Sequence, residues 1–458
     1  MCGIFLCLGH CPLNVKEVLK KLKPRGPNSF GVYQNNNIIV AHTRLAIVNP
    51  CAGPQPLIND NWVLTINGEI YNPSTELNEH ETDCSTILKH LTSNSNQKEW
   101  LQQINGMFSF AAYNRSTKQI FVTRDAIGIT PLYIATTTQH VIVSSLISVF
   151  PDECEVHSVE PGTLYVYDIN GLISKTVWKQ PYTLQQPIPL EQINTQLYKC
   201  LKESVERRVM LCDVPWGVLL SGGLDSSIVA ALANLCHRKD YPVLHTFCIG
   251  LDDSPDLIAA QEVADFIKSY HHSFTYTIEE GLKCLTDVIK AIETYDVTTV
   301  RASIPMFILG KKIKQFGIKM ILSGEGSDEL FGGYLYNWFC PSPQEMHNEC
   351  TDKLNQLWGY DCLRANKTMG AHGIETRVPF LDPNVIDLAM RKIDPTQKMS
   401  HTHPDGKKPE KWLLRETFSN LLPTNILKRT KAQFSDAVGN KWIDALKTEA
   451  KQLYPNEQ

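Results

Sequence analysis

No stretch of the chain approaches the ~20 consecutive apolar residues that a membrane span needs. The amino-terminal segment MCGIFLCLGHCPLNVKE has a short apolar run with no basic segment before it, so it does not read as a signal peptide. Neither charge is in large excess: 44 Lys and Arg stand against 48 Asp and Glu, a net charge of −4. That balance offers no electrostatic grip on nucleic acid or on an anionic membrane. There is no disulfide framework either. The 14 cysteines are scattered through 458 residues, whereas secreted disulfide scaffolds are small and dense in cysteine. Reduced thiols in a cytoplasmic protein are the expectation. Cys7, His10 and Cys11 resemble metal ligands, but no partner pair stands at a zinc-site spacing, so buried thiols near a first strand are expected. The Walker pattern G-x-x-x-x-G-K-[ST] occurs nowhere, which argues against a P-loop NTPase. Internal repeats and long low-complexity tracts are also absent.

What is present is ordinary globular material, 43% hydrophobic and 20% charged, with ample apolar residues for buried cores. The length suits two large domains. Through residue ~170 the chain reads mostly as strands. Gly3–Leu6, Ile38–Val40, Val63–Ile66 and Met107–Phe110 are short apolar runs separated by Gly, Pro and Asn clusters. Helices are expected over Val15–Leu22 and Thr82–Leu91. The segment QPYTLQQPIPL, around Pro181–Pro189, is rich in Pro and Gln and loses periodicity, which marks a linker. Domains are therefore expected at 2–180 and 190–458. Beyond the linker, an amphipathic Leu190–Met210 precedes strands at Trp216–Leu220, Val243–Ile249 and Ile318–Leu322. Helices are expected over Ser226–Cys236 and Asp256–Ile267. Such alternation predicts an α/β domain with a mostly parallel sheet.

The stretch Ser221-Gly222-Gly223-Leu224-Asp225-Ser226-Ser227 ends a buried strand and opens a helix. Glycines without a Cβ let a phosphate approach backbone N–H groups, and the helix start adds free donors. Asp225 cannot face a phosphate unaided, so Mg²⁺ between the two is expected. A lone Gly-Gly would be an ordinary turn; this pattern directly after an apolar strand points to a nucleotide. A second glycine-rich loop, Ser323-Gly324-Glu325-Gly326-Ser327-Asp328-Glu329, follows the third expected strand. Ligands of open α/β sheets bind at that end of the strands. Near the amino terminus stands Met1-Cys2-Gly3. If Met1 is removed, Cys2 carries a thiol and a free α-amine of pKa roughly 7.7–8.0. That pairs a nucleophile with its own base, although an isolated Cys2 would more simply be a buried thiol.

Taken in order, Cys2, Arg25-Gly26-Pro27, Ala41–Val48, Asn67–Asn72, Thr82-Asp83 and Arg124–Tyr133 resemble the class II glutamine amidotransferases. The two glycine loops, with Glu293–Arg301, Gly373–Asp382 and Lys431–Asp436, resemble the ATP-pyrophosphatase domain of the asparagine synthetases, most closely the bacterial B type. The resemblance runs from Cys2 to about Lys447. It implies an amino-terminal Ntn-hydrolase αββα sandwich and a carboxy-terminal Rossmann-like parallel α/β domain. It further implies ATP-dependent conversion of aspartate to asparagine, with glutamine as nitrogen donor, through a thioester at Cys2 and a β-aspartyl-adenylate.

The same resemblance implies residue roles. Cys2 is the nucleophile, and the Asn67 side chain with the Gly68 N–H forms the oxyanion hole. Arg44 takes the α-carboxylate of glutamine; Glu69 and Asp83 meet its α-ammonium group; Ile47 and Val48 complete that pocket. Leu220, Ser221, Gly222, Gly223, Asp225, Ser226, Ile249, Ser323 and Gly324 hold ATP. Asp225 and Asp328 hold Mg²⁺. Glu325 handles the proton of ammonia, and Arg301 and Lys431 offset charge on the leaving pyrophosphate. Arg377 and Asp382 belong to a family motif but receive no chemical role. The partners implied are glutamine, aspartate and ATP, with no nucleic acid and no membrane, and a homodimer is left open. Two departures stand out: Asn28 replaces the family's Asp, and Glu79–Thr82 is shorter and lacks a glycine. A phosphoribosyl amidotransferase would have no use for the SGGLDSS loop. A relative acting on another carboxylate remains an alternative, as does an inactive regulatory protein, against which the intact Cys2, Asp225 and Glu325 argue.

Overall fold

The computed structural model describes residues 1–53, 55–72, 78–93, 96–236, 243–252, 254–398, 410–430 and 439–453. Twelve strands build the amino-terminal domain: β1 (Gly3–Gly9), β2 (Ser29–Asn35), β3 (Ile38–Arg44), β4 (Leu57–Ile58), β5 (Trp62–Ile70), β6 (Gly106–Asn114), β7 (Ile120–Arg124), β8 (Tyr133–Thr136), β9 (His140–Ser144), β10 (His157–Ser158), β11 (Thr163–Asp168) and β12 (Gly171–Val177). They form two antiparallel sheets, ordered β10-β8-β9-β1-β3-β2 and β12-β11-β7-β6-β5-β4.

Alternation along the strands explains the layers, since successive side chains point to opposite faces. Ile4, Leu6 and Leu8 of β1 pack against Val63, Ala111 and Val122 of the other sheet. Phe5 and Cys7 point the opposite way, onto Val18 and Leu22 of α1 (Val15–Leu22). On the far face, Leu64, Ile66, Phe108 and Phe110 pack under α2 (Ser85–Thr92) and α3 (Gln97–Gln103). The result is an αββα sandwich. The helix expected over Thr82–Leu91 starts late, at Ser85, because Asp83 turns its carboxylate onto the Ile70 N–H at 2.7 Å.

The carboxy-terminal domain begins with α4 (Leu190–Met210), at its expected bounds. Its five strands are β13 (Trp216–Leu219), β14 (His245–Gly250), β15 (Tyr270–Thr275), β16 (Met320–Leu322) and β17 (Glu375–Arg377), in the order β15-β14-β13-β16-β17 and all parallel. Two of these strands were not anticipated. In β15, Tyr-His-His-Ser-Phe-Thr is a partly exposed edge without an apolar run, and β17 is three residues long with Glu375 and Arg377 buried. The strand order reverses between β13 and β16, so both glycine loops leave the sheet at its switch point. Residues 181–189 carry no helix or strand, but they are strapped to this domain by Gln185 N–H to Arg391 O (2.8 Å) and Ile188 N–H to Lys392 O (3.0 Å).

One apolar core crosses between the domains. Leu45, Ile47, Val48, Tyr71, Met107 and Ile129 share it with Leu197, Leu201 and Val205 of α4. Buried polar groups tie the same boundary. Arg377 donates to Glu375 (2.8 Å) and to the carbonyls of Arg208 (2.6 Å) and Leu211 (2.7 Å), and it pairs with Glu69 of the first domain at 3.0 Å. Asp382 takes Arg208 at 2.9 Å, Arg207 at 3.1 Å and the Asn105 amide of the first domain at 3.1 Å. Glu293 pairs with Lys367 and accepts the N–H groups of Ile147 and Ser148, each at 2.8 Å. All 14 cysteines are free thiols. No helix among the described residues is long and apolar enough to cross a membrane.

Removing one member of a buried ion cluster leaves the others unpaired in a low-dielectric interior. Asp382→Ala should destabilise the protein by about 3–5 kcal/mol, chiefly by stranding Arg208. Thermal unfolding followed by circular dichroism checks this; a melting curve superimposable on the parent's would mean the cluster contributes nothing.

Candidate active sites

The first glycine loop leaves β13 at Leu220 and runs into α5 (Leu224–Leu235), whose start lies two residues before the expected one. Gly222 has φ +72°, and a Cβ there would approach Ala259 and Ala260 of α6 (Pro255–Ile267) to within 2.5–2.6 Å. Only glycine fits that turn. The serines hold the loop's shape: Ser226 Oγ accepts the Ser221 N–H at 3.2 Å, and Ser227 Oγ donates to the Gly223 carbonyl at 2.6 Å. The second loop leaves β16 and enters the short helix α10 (Ser327–Phe331). The loops touch. A Cβ on Gly324 would come within 2.9–3.0 Å of Ser226 N and Asp225, and Ser327 Oγ donates to Asp225 Oδ1 at 2.7 Å.

Between them opens a cavity of about 580 Å³. Of the residues expected at ATP and metal, Leu220, Ser221, Gly223, Asp225, Ser226, Ile249, Ser323, Gly324 and Asp328 line it, as does Glu325. Gly222 does not line it; its side without a Cβ faces α6 and its carbonyl accepts Arg429 at 3.1 Å. Arg301 lies on α9 (Val297–Gln315) beside Ala302, which lines the cavity, but Arg301 itself is not part of the wall. Lys431 lies outside the described residues.

Part of the wall is apolar, with Phe247, Ile249, Met306 and Leu309; another part is charged. There Arg364, on α12 (Asp361–Gly370), donates to both oxygens of Glu325 at 3.0 and 3.1 Å and pairs with Asp361. Although burial opposes it, Asp361 and Glu325 hold the Arg364 guanidinium firmly charged. Burial pushes the Glu329 carboxyl up to about 8, with Asp328 and Asp361 adding to the effect. The Tyr334 hydroxyl donates to Glu329.

Lys411 was not anticipated. Its ammonium lies 2.5 Å from Asp225 Oδ2 and 2.7 Å from Asp328 Oδ1. Isolated lysines carry no sequence signal; this one reaches the loops from ~80 residues further along the chain, at the start of the helix Trp412–Thr417. Two carboxylates converging on one cation make a fitting donor pair for Mg²⁺, which needs few protein oxygens and completes its shell with phosphate and water. No group of three or more His, Cys, Asp or Glu side chains placed to hold a metal occurs among the described residues.

In the amino-terminal domain Cys2 precedes β1, and its sulfur accepts the Leu45 N–H at 3.4 Å. Burial pushes the thiol pKa up. Asn67 is fully buried in β5, and neither its amide nitrogen nor its oxygen has a partner among the described residues. Next to it Gly68 has φ +138°, and a Cβ would lie 2.0 Å from Met107 O, so the position admits glycine alone. The guanidinium of Arg44 is enclosed by main-chain carbonyls, those of Asn49 (2.8 Å), Val48 (3.2 Å), Gly53 (3.4 Å) and Ala52. Both terminal nitrogens are engaged in this way, so a carboxylate binding here would take the place of some of these carbonyls. Ile47 and Val48 are buried beside it.

Burial pushes the Asp83 carboxyl up to about 6. Glu69 faces the domain boundary. Its carboxylate is engaged by Arg377 across the domain boundary, because Arg377 is fully buried and needs an anion. Asn28 Oδ1 accepts the Ala46 N–H at 3.0 Å. Arg25 donates to the Cys2 carbonyl at 3.0 Å and to Asn366 of α12 at 2.9 Å. Met1 is enclosed, with its amine 3.6 Å from Glu375.

Comparison with known proteins agrees with this division. A glutamine amidotransferase domain model matches residues 1–185, and an asparagine synthase model matches 196–341 and 338–458. A glutamine-hydrolysing asparagine synthetase of Asparagus officinalis is 44% identical over 98% of this chain and 80% of its own length. The chain belongs to the glutamine-hydrolysing asparagine synthetase family. Within that family, an Arabidopsis thaliana enzyme is 41% identical over 99% of this chain and 81% of its own, and a probable synthetase of Dictyostelium discoideum is 40% identical over 100% and 88%.

Proposed function

We propose that this chain converts aspartate to asparagine at the expense of ATP, with nitrogen taken from glutamine that it hydrolyses itself. The observation that carries this reading is the joining, in one chain, of a thiol held at the Leu45 N–H, next to the buried Arg44, with a nucleotide-sized cavity between two glycine loops. The domains are taken as 2–180 and 190–458. The free thiols suit a cytoplasmic enzyme.

In the first site, loss of Met1 frees the Cys2 amine, which then accepts the thiol proton. Arg44 forks the α-carboxylate of glutamine, and ionised Asp83 meets its ammonium group. The thiolate attacks the side-chain carbonyl carbon. Asn67 and the Gly68 N–H stabilise the developing oxyanion. Ammonia departs and water cleaves the thioester to glutamate. In the second site, Leu220 and Ile249 pack on the adenosine, and Ser221, Gly223 and Ser226 at the start of α5 hold the phosphates. Asp225 and Asp328 would hold Mg²⁺, which neutralises phosphate charge. The β-carboxylate of aspartate attacks the α-phosphorus and pyrophosphate leaves, its charge offset by Lys431 and by Arg301, whose side chain must turn from α9 into the cavity to do so. Ammonia attacks the acyl-adenylate, Glu325 takes a proton from it, and asparagine and AMP are released. Asp361 and Arg364 suit the two charged groups on the aspartate α-carbon.

The two sites should separate by mutation. Cys2→Ala should abolish glutamine hydrolysis and glutamine-dependent synthesis, yet leave synthesis from ammonium salts largely intact at alkaline pH. Glu325→Ala should keep glutaminase activity and lose synthesis from either donor. Glutamate, AMP and asparagine measured together decide this. Loss of the ammonia reaction in a folded Cys2→Ala protein would sink the two-site scheme, and AMP production from another carboxylate but not from aspartate would reassign the acceptor.

A pH dependence follows from Asp83. Because its carboxyl is raised to about 6, it is ionised above that value and protonated below it. The KM for glutamine in the hydrolysis reaction should therefore rise as pH falls through about 6. Asp83→Asn should raise KM above pH about 6, where the parent carboxyl is ionised, converge on the parent below it, and remove the inflection. An unchanged inflection in that variant would assign it to another group.

A further inference from the structure

We propose that Lys411 is the resident counterion of the nucleotide-free synthetase site: it neutralises Asp225 and Asp328 until metal and nucleotide arrive together, and then moves from the carboxylates to the phosphate chain. The idea rests on the reading of those two carboxylates as metal ligands. Their geometry shows why a resident cation is needed. They come from different loops, and those loops are held in contact where Gly324 meets Ser226. Two negative charges brought together at the floor of a cavity repel each other unless a cation lies between them.

The lysine is built into that position. Its side chain is 1% exposed, and its ammonium lies 2.5 and 2.7 Å from the two carboxylates. The stem passes through a slot that depends on Gly333: a Cβ there would lie 2.1 Å from Lys411 Cε and 2.0 Å from Asp328 Oδ1. The backbone of Lys411 is left-handed, at φ +57°, and its carbonyl accepts the N–H groups of Leu414 at 2.9 Å and Arg415 at 3.2 Å. That pins the root of the side chain while leaving four rotatable bonds to move the ammonium.

A metal ion and this ammonium cannot share the space, since Mg²⁺ would need its oxygens at about 2.0–2.1 Å. The tethered lysine has a large effective concentration, so it outcompetes a free divalent ion. The metal–nucleotide complex can displace it, because the phosphates supply the lysine with new anionic partners. The consequence is an order of events in which metal enters with the nucleotide and not before it.

Mn²⁺, which also takes oxygen ligands, serves as the probe. Its binding to the full chain is read from the loss of the free-ion paramagnetic resonance signal. Without nucleotide, Lys411→Gln should bind Mn²⁺ at least about tenfold more tightly than the parent, an increase that a further Asp328→Asn change should cancel. With a non-hydrolysable ATP analogue present, the parent should bind Mn²⁺ as well as the variant does. No gain in Lys411→Gln would overturn the proposal; if Asp225→Asn still weakens binding of Mn²⁺ with the analogue, the metal-ligand reading survives that failure. If neither carboxylate variant changes metal binding with the analogue, that reading fails too. Should Lys411→Gln not fold, the parent alone decides. Mg²⁺ without nucleotide should raise its melting temperature no more than NaCl of equal ionic strength, and a specific increase would overturn the proposal.

Discussion

Arg377 is fully buried and remains charged, and that constraint governs how the two halves meet. A guanidinium has five N–H donors and no means of shedding its proton. Removed from water, it must be surrounded by acceptors. Its own domain provides Glu375 and the carbonyls of Arg208 and Leu211, and the remaining side faces Glu69 of the other domain. Although burial opposes it, Arg377 and the chain's amino group keep Glu375 below the usual carboxylate range. Moving one domain relative to the other would expose this cluster's charges to unfavourable partners. The sandwich and the parallel sheet are therefore held as a single unit, as the shared apolar core between Ile47, Met107 and α4 also requires.

That rigidity bears on chemistry because ammonia is a small, volatile intermediate that becomes inert when protonated. The helix α12 shows how closely the two sites are joined. Its first turns carry Asp361 and Arg364, which line the synthetase cavity and hold Glu325. Its next turn carries Asn366, which receives Arg25, the residue that also holds the carbonyl of Cys2. Lys367 follows and pairs with Glu293, whose carboxylate caps backbone groups of the first domain. A single helix thus contacts the surroundings of both reactive centres.

Much of this was legible before the fold was seen. Short apolar runs between Gly, Pro and Asn clusters announced strands such as β1, β3, β5 and β6, the family resemblance implied that they form a sandwich, and strand–helix alternation after residue 190 announced a parallel sheet. Glycines at 222, 223, 324 and 326 marked the phosphate loops because their backbones must turn or approach closely, and that requirement is local. Lys411 and Arg364 were not legible, because each acts through carboxylates on a different segment. The polar edge strand β15 and the three-residue β17 were missed for a related reason: pairing with a neighbour stabilises them, and their own pattern does not.

The sequence by itself determined the local groups, namely a cysteine at position 2 just before a strand, and two glycine loops with carboxylates at strand ends. These are properties of short segments, and local sterics and hydrogen bonding decide them. Only the tertiary structure decided which charges face one another. It paired Glu69 with Arg377 and set Arg44 among main-chain carbonyls. It also placed the Lys411 ammonium between Asp225 and Asp328. Ionic partners are set by which distant segments are desolvated together, and that depends on the packing of the whole chain.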